Sequence, residues 1–162
     1  MNEGLSFSDA IKTCYHKFFT INARACRSEY WYFVLFAFIA HLVLSFCAVL
    51  PVIGELAGGA GSLLVFIPFV TVSIRRMHDL DKSGLWLLLP AILIALALFL
   101  VLYGALATAG MLFFLGIVLI LASAVSVVLI ALLMAQPGTH GQNRFGPDPF
   151  QPKIPFSFKP WE

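Results

Sequence analysis

The chain has 162 residues, of which 60% are hydrophobic and only 11% charged, and its net charge is +2. A soluble domain of this size keeps about a quarter of its residues charged, so this composition cannot cover a water-soluble globule. The small charge excess gives no case for nucleic-acid binding. Every lysine and arginine falls before Tyr30, between Arg75 and Lys82, or after Met134. Glu55 is the single formal charge between Tyr30 and Ile74, and there is none between Ser83 and Asn143. That pattern is expected of a polytopic membrane protein with its charged chemistry gathered on one face.

Residues 1–29 carry seven charged side chains, with no short apolar core before a small-residue cleavage site. The first span is therefore expected to act as an uncleaved signal-anchor. Within this segment Phe7, Ile11, Cys14, Tyr15, Phe18 and Phe19 recur at helical spacing. They predict an amphipathic helix lying on the inner leaflet or against the bundle, with Ser8 or Asp9 as its cap.

The transmembrane region is expected over residues 30–135, with spans near 30–50, 53–74, 85–106 and 110–134. Glycines and Glu55 dilute the start of the second span, which places that part inside or at the outer interface, and Pro68 is expected to kink it. From Leu85 to Ala135 the chain is continuously apolar. One helix of that length would measure about 75 Å at ~1.5 Å per residue, more than twice a hydrocarbon core of about 30 Å. It must fold back, and residues 104–110 offer the best turn. Ser126 with Ala122, and Gly58 with Gly54, are expected to form close-packing faces. Residues 136–162 read as a Pro-rich cytoplasmic tail, expected to be extended and mobile where Pro147, Pro149, Pro152, Pro155 and Pro160 crowd it. Within it, Gly141 to Pro149 reads as a compact loop with glycines at turn positions, from which Asn143 and Arg144 are expected to reach back to the two earlier charged segments. Cys14, Cys26 and Cys47 lack metal spacing and are expected to be free thiols.

Four spans put both termini on one side, together with the Arg75-to-Lys82 segment. The opposite loops hold no lysine or arginine, so the positive-inside rule places both termini in the cytoplasm. Tyr30, Trp31, Tyr32 and Trp86 fall at the cytoplasmic span ends, where amphipathic rings prefer to sit. The fold class expected is an all-α membrane protein: four transmembrane helices, an N-terminal amphipathic helix and cytoplasmic loop motifs.

Three motifs abut the spans: Arg24-Ala-Cys-Arg27-Ser-Glu29-Tyr30-Trp31, Arg75-Arg76-Met-His78-Asp79-Leu-Asp81-Lys82-Ser-Gly84, and Gly141-Gln-Asn143-Arg144-Phe-Gly146-Pro147-Asp148-Pro149. Topology brings them to one face although they lie far apart in sequence. In order and position they resemble the YhaH-like family of small bacterial inner-membrane proteins, a domain of unknown function, over about residues 7–149. Ala23 stands where that family often has glycine, and Leu85 where it often has tryptophan. The resemblance implies an inner (plasma) membrane protein with four spans, and brings no activity, cofactor or substrate with it.

The candidate cluster on the cytoplasmic face is Arg24, Arg27, Glu29, Arg75, Arg76, His78, Asp79, Asp81, Lys82, Asn143, Arg144 and Asp148. One reading is an ion-pair network that fixes helix ends, since an unpaired charge at the membrane boundary is expensive. Another leaves arginines free to clamp a phosphate or carboxylate, with anionic phospholipid headgroups as the nearest ligand. His78 beside Asp79 invites a general-base reading, but no nucleophile motif accompanies it. Asp79 to Gly84 mimics the start of a calcium loop, yet the twelfth position, which needs a glutamate, is Pro90. Asp81 or Ser83 is expected to cap the third span, with Gly84 closing the turn. His41 and Glu55 do not compose a relay.

The expectation is a non-catalytic protein with no catalytic residue, metal or cofactor. Its partners are the bilayer, anionic lipid headgroups, another membrane protein or itself, and no nucleic acid. The alternative is a small membrane enzyme or transporter using His78, Asp79 and Asp81.

Overall fold

The computed structural model describes residues 4–47 and 57–149. Expectations concerning Gly54, Glu55 and the tail beyond residue 149 lie outside the described residues. The fold is all-helical, with no strand among the described residues. Helix α1 spans Phe7–His16 and α2 spans Arg27–Cys47. A π-helical turn, Ala57–Gly61, leads into α3, Ser62–Asp79. A 3-10 turn, Gly84–Leu87, precedes α4, Leu88–Leu106, and α5 spans Gly110–Ala135. Four of these stretches, of 21, 22, 23 and 26 residues, are long and apolar enough to cross a membrane. At ~1.5 Å per residue each exceeds or matches a hydrocarbon core of about 30 Å.

Helix α1 begins at Ser6, whose hydroxyl accepts from the Asp9 backbone N–H at 3.3 Å. The cap is therefore two residues earlier than Ser8, because Ser6 holds the extended backbone an N-cap requires while Ser8 and Asp9 are already helical. Ala10 and Cys14 face the bundle and are buried.

Helix α3 runs through Pro68 and on past the apolar stretch, so Arg75, Arg76, His78 and Asp79 are helical rather than part of a loop. It ends in a Schellman motif. Lys82 N–H donates to Met77 O at 3.0 Å and Asp81 N–H to His78 O at 3.0 Å, with Asp81 at φ 55°. Ser83 then caps the 3-10 turn, accepting from Leu85 N–H at 3.3 Å. Gly84 packs so closely on Ile74 that a Cβ would lie 2.9 Å from its Cγ2.

Helices α4 and α5 form a hairpin. The reversal falls at residues 107–109, with Thr108 at φ 51°. Gly104 stays inside α4: a Cβ there would lie 2.5 Å from Phe113 N, and one at Gly116 would lie 2.8 Å from Val101 N. The two backbones touch through small residues, which is how helices associate where no hydrophobic force acts between them. On α5, Ser123 and Ser126 are buried while Ala122 is exposed. The inward stripe thus runs through Ser123, whose hydroxyl donates to Pro90 O at 3.2 Å, rather than through Ala122.

Helix α2 pairs with α3, and α1 lies on both. The buried core joins α1, α2 and α3 residues such as Cys14, Phe33 and Val72 to Ile130 and Met134 near the end of α5. Met77 and Met134 set much of this core at the charged end of the bundle.

Candidate functional site: an arginine-tied cap

The last turn of α3 builds the site. Arg75 and Arg76 are 0% exposed and Asp79 is 2% exposed. Neighbouring helical residues point about 100° apart, so the two consecutive arginines serve different parts of the fold.

Arg75 turns toward α1 and α2. Its Nη1 pairs with Glu29 Oε1, and its Nη2 lies 4.0 Å from Cys14 Sγ. Cys14 in turn lies 3.8 Å from Glu29 Oε1. Burial first, and the Glu29 carboxylate second, push the Cys14 thiol up to about 12, so it is a neutral hydrogen-bond donor here. One guanidinium thereby fixes the start of α2, and Cys14 brings α1 against it.

Arg76 turns toward the end of α5. Its Nε donates to Met134 O at 3.0 Å and its Nη2 to Gln136 O, while Nη1 pairs with Asp79 Oδ2, one helical turn on, and donates to Ala25 O at 3.4 Å. The final carbonyls of a helix have no intrahelical donor and carry its negative dipole end. A buried arginine there satisfies both needs.

Arg24 completes the cap from the connection between α1 and α2. Its Nε donates to Asp79 Oδ1 at 2.9 Å, and its terminal nitrogens donate to the carbonyls of Thr139, Gly141 and Gly146. Asp79 therefore has an arginine on each oxygen. Its own carbonyl accepts from Thr139 N–H at 2.9 Å and from Thr139 Oγ1 at 3.1 Å. Gly138 leaves room for this approach: a Cβ there would sit 2.0 Å from Asp79 Oδ2. Three buried guanidinium groups face two buried carboxylates. The excess positive charge lies against helix-end and loop carbonyls, which is what permits it to be buried.

The third motif closes over the end of α3. Asn143 and Gly146 exchange backbone hydrogen bonds at 3.1 Å, and Asn143 Oδ1 accepts from Phe145 N–H at 2.9 Å. Asn143 Nδ2 donates to His78 O and to Thr139 Oγ1, both at 2.9 Å. The turn sets Phe145 flat on His78, with ring centroids 3.8 Å apart and planes 2° apart. Arg144 Cζ lies 4.7 Å from the Phe145 centroid, and Arg144 Nε pairs with Asp81 Oδ1 at 3.1 Å in a solvent-exposed bridge. Asp148 accepts from Gly141 N–H at 3.2 Å.

The fold thus brings together Arg24, Glu29, Arg75, Arg76, His78, Asp79, Asp81, Asn143, Arg144 and Asp148. Arg27 is exposed and Lys82 half-buried, and neither has an ion-pair partner among the described residues. Sequence reading missed Cys14, Gly138, Thr139 and the carbonyls of Ala25, Met134 and Gln136. Gly138 after Pro137 is legible as a turn, but a backbone carbonyl carries no residue signature.

Four apolar helices tied at one end by buried arginine–carboxylate pairs define a four-span integral membrane protein. The chain belongs to the family described as "Protein of unknown function (DUF805)", whose model matches residues 18–147, taking in the first two motifs whole and the third as far as Pro147. It is similar to the inner membrane protein YhaH of Escherichia coli strain K12, 35% identical over 133 residues that cover 78% of this chain and 84% of that protein. It is also similar to the inner membrane protein YhaI of the same strain, 36% identical over 73 residues that cover 42% of this chain and 58% of that protein. No solved structure matches the chain significantly.

Proposed function

We propose that this is a non-catalytic protein of the bacterial inner membrane, with both termini cytoplasmic. Its cap holds the four spans in register, and its outward-facing basic residues receive anionic lipid headgroups. The observation that carries this reading is the division of the described basic residues between buried, tied arginines and unpaired cations, with Arg144, exposed but paired to Asp81, in neither group. Arg24, Arg75 and Arg76 are buried and bound to carboxylates and carbonyls. Lys12 and Arg27 are exposed, Lys17 and Lys82 are half-buried, and none of the four has an ion-pair partner among the described residues. An arginine already bridging two groups cannot also clamp a phosphate, whereas an unpaired cation beside a membrane surface is drawn to anionic lipid. The positive-inside rule supports the orientation.

The rival, an enzyme or transporter built on His78, Asp79 and Asp81, draws on one feature: the Nδ1 of His78 is buried with no hydrogen-bond partner among the described residues. Against it, Asp79 is held by two arginines and Asp81 by Arg144, so neither carboxylate is left to orient that ring as a base.

The test is native mass spectrometry of the detergent-extracted protein with added phosphatidylglycerol or phosphatidylcholine. The wild type should prefer the anionic lipid. The combined Lys12→Gln, Lys17→Gln, Arg27→Gln, Lys82→Gln variant should insert and melt normally but lose the preference. Equal binding of both lipids by the wild type would overturn the reading.

A further inference from the structure

The cation set outside the cap is not evenly spread. Lys12, Thr13, His16 and Lys17, neighbours on one helix, line an open, shallow depression on α1. At 100° per residue, Lys12 and His16 lie on the face of α1 opposite the buried Ala10 and Cys14, and Thr13 lies on its flank. Lys17 is the C-cap that closes the depression.

The neighbours of α1 set its depth. Phe7 meets Tyr32 edge-on at 5.9 Å, and Tyr15 meets Phe33 at 5.9 Å and Phe36 at 6.1 Å. These are residues of the first three turns of the membrane-crossing α2. The helix therefore lies along the membrane end of α2, where acyl chains give way to headgroups. Phe19, 78% exposed, and Ile21, 46% exposed, follow directly and present apolar side chains outward. An apolar face against the bundle, exposed apolar anchors and an outward cationic face are the features of a helix in the membrane interface.

We infer that the Lys12–Thr13–His16–Lys17 depression holds the phosphate of an anionic glycerophospholipid of the adjoining leaflet. The two ammonium groups supply charge, and the Thr13 hydroxyl supplies a directed donor. His16 and Lys17 also stand at the C-terminal end of α1, whose dipole amounts to about half a negative charge. Two lysines exceed it and leave a net positive field. This inference rests on the lipid reading above and names the site for it.

The experiment measures phosphatidylglycerol binding to the purified full-length protein by native mass spectrometry, with phosphatidylcholine as the neutral control. The variants are Lys12→Gln/Lys17→Gln, the charge-preserving Lys12→Arg/Lys17→Arg, and Arg27→Gln/Lys82→Gln. Each lysine near an anionic surface contributes about fivefold, so the first variant should lose roughly 30-fold in phosphatidylglycerol affinity with phosphatidylcholine unchanged. The arginine variant should retain most of the affinity, and Arg27→Gln/Lys82→Gln should lose less than the first. If Lys12→Gln/Lys17→Gln binds like wild type while Arg27→Gln/Lys82→Gln loses the lipid, the site assignment is overturned and the broader reading survives. If the wild type shows no preference for phosphatidylglycerol, both are overturned.

Discussion

The Glu29–Arg75 pair offers the cleanest test of how the cap is held. Both side chains are buried, at 3% and 0% exposure, and the guanidinium meets the carboxylate directly. Replacing Arg75 by Met strands the Glu29 carboxylate beside a neutral thiol. Removing one member of such a pair costs about 3–5 kcal/mol, because a buried charge loses its counter-ion. Glu29→Leu strands the guanidinium, and a similar loss is expected. The double variant removes both charges and fills the space with apolar atoms. Its stability should return to within about 1 kcal/mol of wild type or exceed it, since hydrophobic replacements of buried pairs are often neutral or stabilising. The assay is reversible unfolding in mixed micelles of mild detergent and dodecyl sulfate, followed by helicity, for wild type, both single variants and the double variant. The cycle should give a coupling of at least about 3 kcal/mol. Additive losses, with the double variant worse than either single one, would refute the argument that the pair is a self-contained tie.

Three other outcomes follow from local geometry. Gly138→Ala drives a methyl group into Asp79 Oδ2, 2.0 Å from the ideal Cβ position; it should destabilise by about 1–3 kcal/mol and speed proteolysis after Met134, whereas an unchanged melt would mean that the 136–149 segment does not press on Asp79. Thr108→Gly removes a β-branched residue from φ 51° and should stabilise by about 1 kcal/mol, read as a higher melting temperature; a lower one would show that the Thr108 hydroxyl bond to Ala107 O outweighs the strain. Cys14 should resist alkylation at pH 8 in the folded protein and react once unfolded. Its thiol stays protonated up to about 12 when folded, against 9.0 ordinarily. Its contribution to stability is therefore complete below pH 9 and is lost as pH rises from 9 toward 12. Cys14→Ala should flatten that part of the stability–pH curve, and an unchanged slope would assign it to other groups.

The spans were legible in the sequence because apolar length and charge segregation are properties of residue type alone. A run of 45 residues with Glu55 as its one charge, then a longer run with none, cannot be arranged in water, and backbone hydrogen bonding in lipid leaves such runs only the helix or the closed barrel. The three motifs were legible as one face because the number of spans fixes which loops meet. The end of α3 was harder to read, since Arg75 to Asp79 look like loop chemistry, and only the packing of α5 and residues 24–26 around them makes a buried charged helical turn tolerable. The reversal was legible, since residues 107–109 lie inside the expected 104–110 window and the spans end at Leu106 and restart at Gly110. Only the role of Gly104 was hidden, because it is needed for contact with Phe113 rather than for the turn.

Within the site, residue types announced ion pairing but not its partners. Arg75 and Arg76 are adjacent and chemically identical, and the sequence gives no reason for one to hold Glu29 and the other Asp79. Helix phase decides that, at about 100° per residue. Among the described residues, six of the ten hydrogen bonds from Arg24, Arg75 and Arg76 go to backbone carbonyls, those of Ala25, Met134, Gln136, Thr139, Gly141 and Gly146. Every residue carries that group, so no sequence pattern marks it. The sequence alone determined that the chain is a four-span membrane protein with its charges at one end, because burial of charge in hydrocarbon is forbidden whatever the fold. The tertiary structure alone decided which of those charges are spent inside the cap and which still face outward, because that depends on where helix ends converge in space.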